Sequence, residues 1–299
     1  MDLTDSIINY RRYLKRRNLS SCTIRNYLNS LKQFLAWLKI PIELTTHPEI
    51  NCYIEWLQFK RKHPKTITCQ LNGIRSFYNF LHYEEELPMQ NPVKTVGALR
   101  LPKPLPRYLR DGEVEKLFAA VKKRRDRAMF MLMLRCGLRV AEVAALSIDA
   151  IEQKRKRLLV QNGKGRKDRM VYLSNDALSA LNDYLKVRPA SASRLVFLVE
   201  KGSCRGQPIS VRGIQKRIEF YAKKADVSAS CHQLRHTMAT QMLNVDADLS
   251  TIQELLGHSR ITTTQRYCKV SNVKVERDYS KAMDLVMQKS RLALNIRRN

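Results

Sequence analysis

Five of the chain's ten prolines are crowded into one stretch, as Pro88, Pro92, Pro102, Pro104 and Pro106. Proline has no backbone donor and its ring fixes φ, so neither a long helix nor a central strand can run through such a segment. A chain of 299 residues is in any case longer than one small core needs. The expectation is therefore two bodies and a connector: residues 1–90, an extended stretch over 91–106, and residues 107–299. The connector region also carries Lys94, Arg100, Lys103, Arg107 and Arg110, cations suited to following a phosphate backbone.

The first part reads as helices only. From Ile24, the apolar residues Tyr27, Leu28, Leu31, Phe34, Leu35 and Leu38 recur in steps of three and four, which makes one helical stripe, with Ser20 and Ser21 before it as caps. A helix holding Tyr53, Ile54, Trp56, Leu57 and Phe59 is expected to end at Pro64, and another carries Leu71, Ile74, Phe77, Tyr78 and Leu81. An earlier one includes Ile7, Ile8, Tyr13 and Leu14. Their polar faces hold Arg11, Arg12, Lys15, Arg16, Arg17, Arg25, Lys32, Arg61, Lys62, Lys65 and Arg75, the makings of a basic helical clamp.

In the second part Asp111 opens a helix, Ala128 to Leu134 is apolar all round and so buried, and Gly137 breaks the pattern. A short helix follows from near Arg139 to near Leu146. Leu158–Val160 and Met170–Leu173 then read as a hairpin around Gly163-Lys164-Gly165, and a further helix starts at Ser210. The fold class expected is mainly α, with one small antiparallel sheet in the second domain.

Charge narrows the partner. Lys plus Arg number 55 against 27 Asp plus Glu, a net of +28, and the cations are spread through segments with core periodicity. A fold that tolerates such self-repulsion is matched to a polyanion, and with no lipid-anchoring signal nucleic acid is favoured over a membrane surface. No apolar run has the length of a membrane span and no basic-then-apolar leader opens the chain, so a cytoplasmic protein with no membrane partner is expected. The seven cysteines are odd in number, with no two placed two residues apart, which gives neither a disulfide framework nor a zinc knuckle.

The chemistry concentrates near the C-terminus. On a helix, His232 and Arg235 share a face, a guanidinium beside an imidazole suited to gripping one phosphate and moving a proton there. His232 and His236 have zinc-binding spacing, but no general-base Glu lies between them and an adjacent arginine opposes a dication, so no metal is expected. Asp248 or Ser250 caps a later helix and Gly257 stops it, which presents His258 at a turn. Nine residues on stands Tyr267, behind Thr262, Thr263 and Thr264, with no apolar stripe to fill; Tyr279 is the rival nucleophile.

The string HQLRHTMAT from His232, then LLGH, then TTTQRY, resembles the C-terminal signature of the tyrosine recombinases, which include phage and transposon integrases and Xer-type resolvases. Upstream, CGLRVAEV from Cys136 resembles that family's first arginine motif, and GKGRKDR from Gly163 its lysine hairpin. More loosely, LSSCTIRNYLNSLKQFLAWL resembles its helical, SAM-like core-binding domain. The resemblance implies a site of Arg139, Lys164, His232, Arg235, His258 and Tyr267, with Glu142 in support. It implies a tyrosine attack on a backbone phosphate, with no metal or other cofactor, and a homo-tetramer (or a related recombinase as partner) on two paired double-stranded DNA recombination sites. Tyr172 stands where the family often has proline, Asp246 where it often has glycine, and Lys269 where it often has histidine. None of these removes a catalytic group.

Two other readings use the same residues: a type IB topoisomerase, and a DNA-binding protein on the same scaffold without activity. The tail from Ser280 to Asn299 is expected either to dock on a neighbouring subunit or to pack on its own domain.

Overall fold

The computed structural model describes residues 3–94, 107–161, 168–257, 264–265 and 279–287. It divides into two compact units, with the division between Lys103 and Pro104.

The first unit is built from α1 (Leu3–Arg16), α2 (Ser21–Trp37), α3 (His47–Phe59) and α4 (Pro64–Tyr83). The expected Ser20 cap is present: its hydroxyl accepts the Thr23 N–H at 3.1 Å, which supplies one of the donors a helix start leaves open. Pro64 does more than end a helix. Its missing N–H suits the first turn of α4, where His63 caps from outside, while α3 has already stopped at Phe59. The apolar stripes meet in an aromatic core in which Tyr10 lies 5.1 Å from Phe77, and Phe34 5.1 Å from Tyr53, both edge to face.

Two expectations change here. Arg75 is not simply on an outer face: it is half-buried and donates to the carbonyls of Val93 and Lys94 at 3.2 and 2.7 Å. Val93 itself is buried in the first unit's core, and Asn91 donates to the Arg75 carbonyl. The first residues of the proline-rich stretch are thus part of the first unit, because a buried side chain and three backbone-directed bonds outweigh the lack of regular structure.

The second unit runs α5 (Asp111–Ala120), α6 (Arg124–Arg135), α7 (Val140–Ala144), β1 (Ile151–Glu152), β2 (Arg157–Val160), β3 (Arg169–Tyr172), α8 (Asn175–Leu185), α9 (Val211–Lys224), α10 (Cys231–Asn244) and α11 (Leu249–Leu256). As expected from its unbroken apolar run, every residue from Ala128 to Leu134 in α6 is buried, and α8, α9 and α10 pack around that helix. The hairpin pairs β2 with β3 antiparallel, Leu158 opposite Val171 and Val160 opposite Arg169. Strand β1 pairs along the other edge of β2, which makes three strands where two were expected. Helix α8 was also not among the expected elements. Asp246 adopts φ 64°, a left-handed turn that Asp tolerates better than most residues.

One polar knot lies inside this unit. Asp126 is fully buried; one carboxylate oxygen accepts twice from Arg125, at 3.0 and 2.8 Å, and the other accepts from Arg217 at 2.7 Å and the Tyr221 hydroxyl at 3.2 Å. The carboxylate is satisfied on both oxygens, which is the condition for keeping a charge out of water. It ties the start of α6 to α9. Among the described residues no helix is long and apolar enough to cross a membrane.

Candidate active site

Helix α6 ends at Cys136, and Gly137 follows at φ 64°. A side chain there would be strained, and its Cβ would lie 2.9 Å from the Leu256 side chain and 3.2 Å from the Met238 sulfur. The turn sends the chain into α7 with Arg139 at the residue before its first turn. Glu142, three residues on, reaches back to the Arg139 N–H at 2.7 Å and to its guanidinium at 2.7 Å. Glu142 thus contacts both the backbone and the side chain of Arg139.

The C-terminal end of α11 organises the rest. Helix ends leave carbonyls without partners and carry partial negative charge. Here three consecutive carbonyls each accept from a different arginine: Leu255 from Arg169 at 2.8 Å, Leu256 from Arg235, and Gly257 from Arg139 at 3.0 Å. Arg235 also donates to the Gly137 carbonyl and is 1% exposed. Two guanidiniums from α7 and α10, far apart in sequence, are thereby held on adjacent peptide groups.

Arg169 reads in the sequence as one more cation after the glycine turn. In the fold it completes the cluster. Its two terminal nitrogens donate to the two oxygens of Glu142, both at 2.8 Å. Its side chain is 8% exposed, against 24% for Arg139, so Arg139 is the member that faces solvent. The apolar run in the sequence starts the second hairpin strand at Met170; in the fold Arg169 opens β3 opposite the buried Val160.

Burial by itself would push the Glu142 carboxyl up. The Arg169 hydrogen bond and charge, with the two bonds from Arg139, overcome this and hold it at about 2. Glu142 is accordingly a permanent anion in a cationic setting. The neighbouring thiols are of the opposite kind. Burial pushes Cys136 up to about 12, with Asp176 adding to the effect, and pushes Cys231 up to about 11, so neither is an activated nucleophile.

His232 is exposed on the first turn of α10, its ring 4.0 Å from that of His236. Arg235 lies one turn further along the same helix. Lys164, His258 and Tyr267 lie outside the described residues, although their approaches are described: the hairpin strands up to Gln161 and from Asp168, and α11 as far as Gly257. Gly257 has φ 59°, so the stop placed before His258 is real. Tyr279 is 64% exposed. Among the described residues no group of His, Cys, Asp and Glu could hold a metal ion.

Residues 107–273 match the phage integrase family, and residues 7–86 match the phage integrase N-terminal SAM-like domain. The chain belongs to the phage integrase family. It is a tyrosine recombinase, an enzyme of site-specific DNA recombination. It is 32% identical to the tyrosine recombinase XerC of Thermodesulfovibrio yellowstonii over 93% of this chain and 96% of that one. It is 30% identical to the tyrosine recombinase XerA of Pyrococcus horikoshii, over 93% and 94%. Among solved structures, a XerA recombinase superposes with TM-score 0.55 at 25% identity, covering 93% of this chain and 98% of that one. A lambda integrase dimer bound to a core site superposes with TM-score 0.73 at 20% identity, over 89% and 95%. At that identity the likeness is one of fold.

Proposed function

We propose that this recombinase cleaves one DNA strand by direct attack of the Tyr267 hydroxyl on a backbone phosphorus. A bond forms between the tyrosine oxygen and phosphorus while the bond to the 5′ oxygen breaks, which leaves a 3′-phosphotyrosyl link and a free 5′ hydroxyl. Arg139 and Arg235 hold the non-bridging oxygens, where charge grows in the transition state. A tyrosine hydroxyl titrates near about 10, so it must give up its proton; His232 accepts or relays it, and His258 donates to the phosphate. Lys164, on the glycine turn, protonates the departing 5′ oxygen. One phosphoester is exchanged for another, so a 5′ hydroxyl from a partner strand can reverse the step without ATP, by way of a Holliday junction.

The observation that carries this reading is the seating of Arg139 and Arg235 on adjacent carbonyls at the end of α11, one residue from His258. The sequence divides by function in the same scheme: residues 1–90 as a DNA clamp, 91–106 as a basic connector whose first residues pack on the clamp, and 107–299 as the catalytic domain. In the clamp, α2 and α4 border a groove of about 390 Å³ lined by Asn26, Asn29, Gln33, Gln70 and Asn72, amides suited to base edges. The assembly on DNA is a homo-tetramer, or a mixed one with a related recombinase, in the cytoplasm. The exposed apolar residues Met283, Leu285, Val286 and Met287 are its candidate docking surface.

Tyr267→Phe keeps the ring and removes the nucleophile. The site can be recovered by selecting duplexes from a random-sequence pool with the full chain. On a nicked duplex carrying that site, the variant binds as the parent does and forms no detergent-stable adduct. A normal adduct would move the nucleophile to Tyr279.

A further inference from the structure

Nothing in the mechanism above uses Arg169, yet it is bonded to two separate parts of the site. It sits on β3, five residues after Lys164; it bonds the Leu255 carbonyl at 2.8 Å, three residues before His258; and it binds Glu142, which binds Arg139.

The bonding pattern at Glu142 is specific. Oε1 accepts from the Arg139 guanidinium at 2.7 Å and from Arg169 at 2.8 Å. Oε2 accepts from the Arg139 backbone N–H at 2.7 Å and from Arg169 at 2.8 Å. A carboxylate has about four lone-pair sites, and all four are taken, two by each arginine. One negative charge therefore faces two positive ones. Paired with Arg139 alone, the same carboxylate would be free to turn and take a fork-to-fork grip on it, and the cation it neutralised would be the very group meant to meet the phosphate.

We infer that Arg169 is a positioning residue for strand cleavage: by sharing both oxygens of Glu142 it lets that carboxylate orient Arg139 without cancelling its charge toward the DNA phosphate. The arrangement at Gly257 is built around this side chain. A Cβ there would lie 3.0 Å from the Arg169 Cδ and 3.2 Å from its Nε. All three guanidinium nitrogens of Arg169 are engaged inside the protein, Nε with the Leu255 carbonyl and the terminal pair with Glu142, so its effect passes through Glu142 and Arg139.

The inference rests on Arg139 being a phosphate clamp, and the test separates the two claims. Single-turnover cleavage and equilibrium binding are measured on the selected nicked duplex for the full chain and for Arg139→Ala, Glu142→Gln, Arg169→Gln and the double variant Glu142→Gln/Arg169→Gln. Arg169→Gln is expected to slow cleavage on the order of 10²-fold, the scale of a misplaced catalytic group, with the dissociation constant unchanged. Adding Glu142→Gln to it should restore much of the rate, because the charge that quenches Arg139 is then gone. A purely structural salt bridge gives no such recovery, and a double variant no faster than Arg169→Gln overturns the inference, as does a normal rate for Arg169→Gln alone. If Arg169→Gln unfolds at the assay temperature, the double variant is compared with Glu142→Gln. Equal rates are expected, since Arg169 acts only through that carboxylate, and a further loss in the double overturns the idea. Normal cleavage by Arg139→Ala would instead reject the phosphate clamp itself.

Discussion

Replacing Glu142 with glutamine should remove a segment of the protein's acid sensitivity that can be sized from the structure. The carboxyl is held at about 2 rather than its ordinary 4.5, by Arg169 and Arg139 acting against burial. A group whose value is depressed in the folded state stabilises the fold above its unfolded value and loses that contribution as pH falls through the folded one. The window for Glu142 is therefore from above pH 4.5 down to about 2. The depression corresponds to about 3 kcal/mol, and the side chain is 8% exposed, so solvent screening takes little from it. For a domain of this size that is roughly 6–12 °C in melting temperature. The assay is thermal melting of the full chain and of Glu142→Gln at intervals from pH 7 to pH 2. Every other carboxyl titrates in both proteins and cancels in the difference. The variant should melt lower at neutral pH, and the two curves should converge toward pH 2. Parallel curves would show that Glu142 is not held as an anion by the arginines, and would refute the reasoning.

Three further outcomes are expected. Lys164→Ala should slow cleavage far more on an ordinary phosphodiester than on a 5′-bridging phosphorothiolate, whose thiolate leaves without an acid; equal losses on both, compared by single-turnover rates, would leave Lys164 as a phosphate contact only. Excess EDTA and removal of nucleotides should leave cleavage unchanged, since a cluster of guanidiniums around one helix end repels a dication; a strict requirement for a divalent ion would defeat the mechanism. Asp126→Ala strands the buried Arg125 guanidinium, 5% exposed as a residue, and should cost about 3–5 kcal/mol, roughly 6–20 °C in melting temperature; a change within error would mean that water replaces the lost carboxylate.

Much of this protein was legible in its sequence because the signals were local. The three-and-four spacing gave the stripe of α2, the unbroken apolar run gave the buried α6, and two short apolar runs on either side of a glycine turn gave the β2–β3 hairpin. The Ser20 cap, the break at Gly137 and the helix stop at Gly257 also followed from single residues and their neighbours. Arg139, Glu142 and Arg235 were named from motifs, and the fold seats the two arginines at one helix end with Glu142 bonded to Arg139. What stayed hidden depended on distant partners. Strand β1 is two residues long and exists only because β2 offers it an edge. Arg75 was assigned outward by periodicity, but the backbone of residues 93 and 94 folds back onto it.

Arg169 is the clearest division between the two kinds of information. Its identity, its strand and the side of the hairpin it occupies are set by the sequence around it. That it binds Glu142, 27 residues away, and the Leu255 carbonyl, 86 residues away, was decided only when α7, β3 and α11 came together. A cation beside a glycine turn has the same local pattern whether it is solvated or buried. What distinguishes the two is whether a carboxylate and open helix carbonyls converge on it, and that depends on tertiary packing, because an arginine leaves water only where other segments supply all the bonds that it gives up.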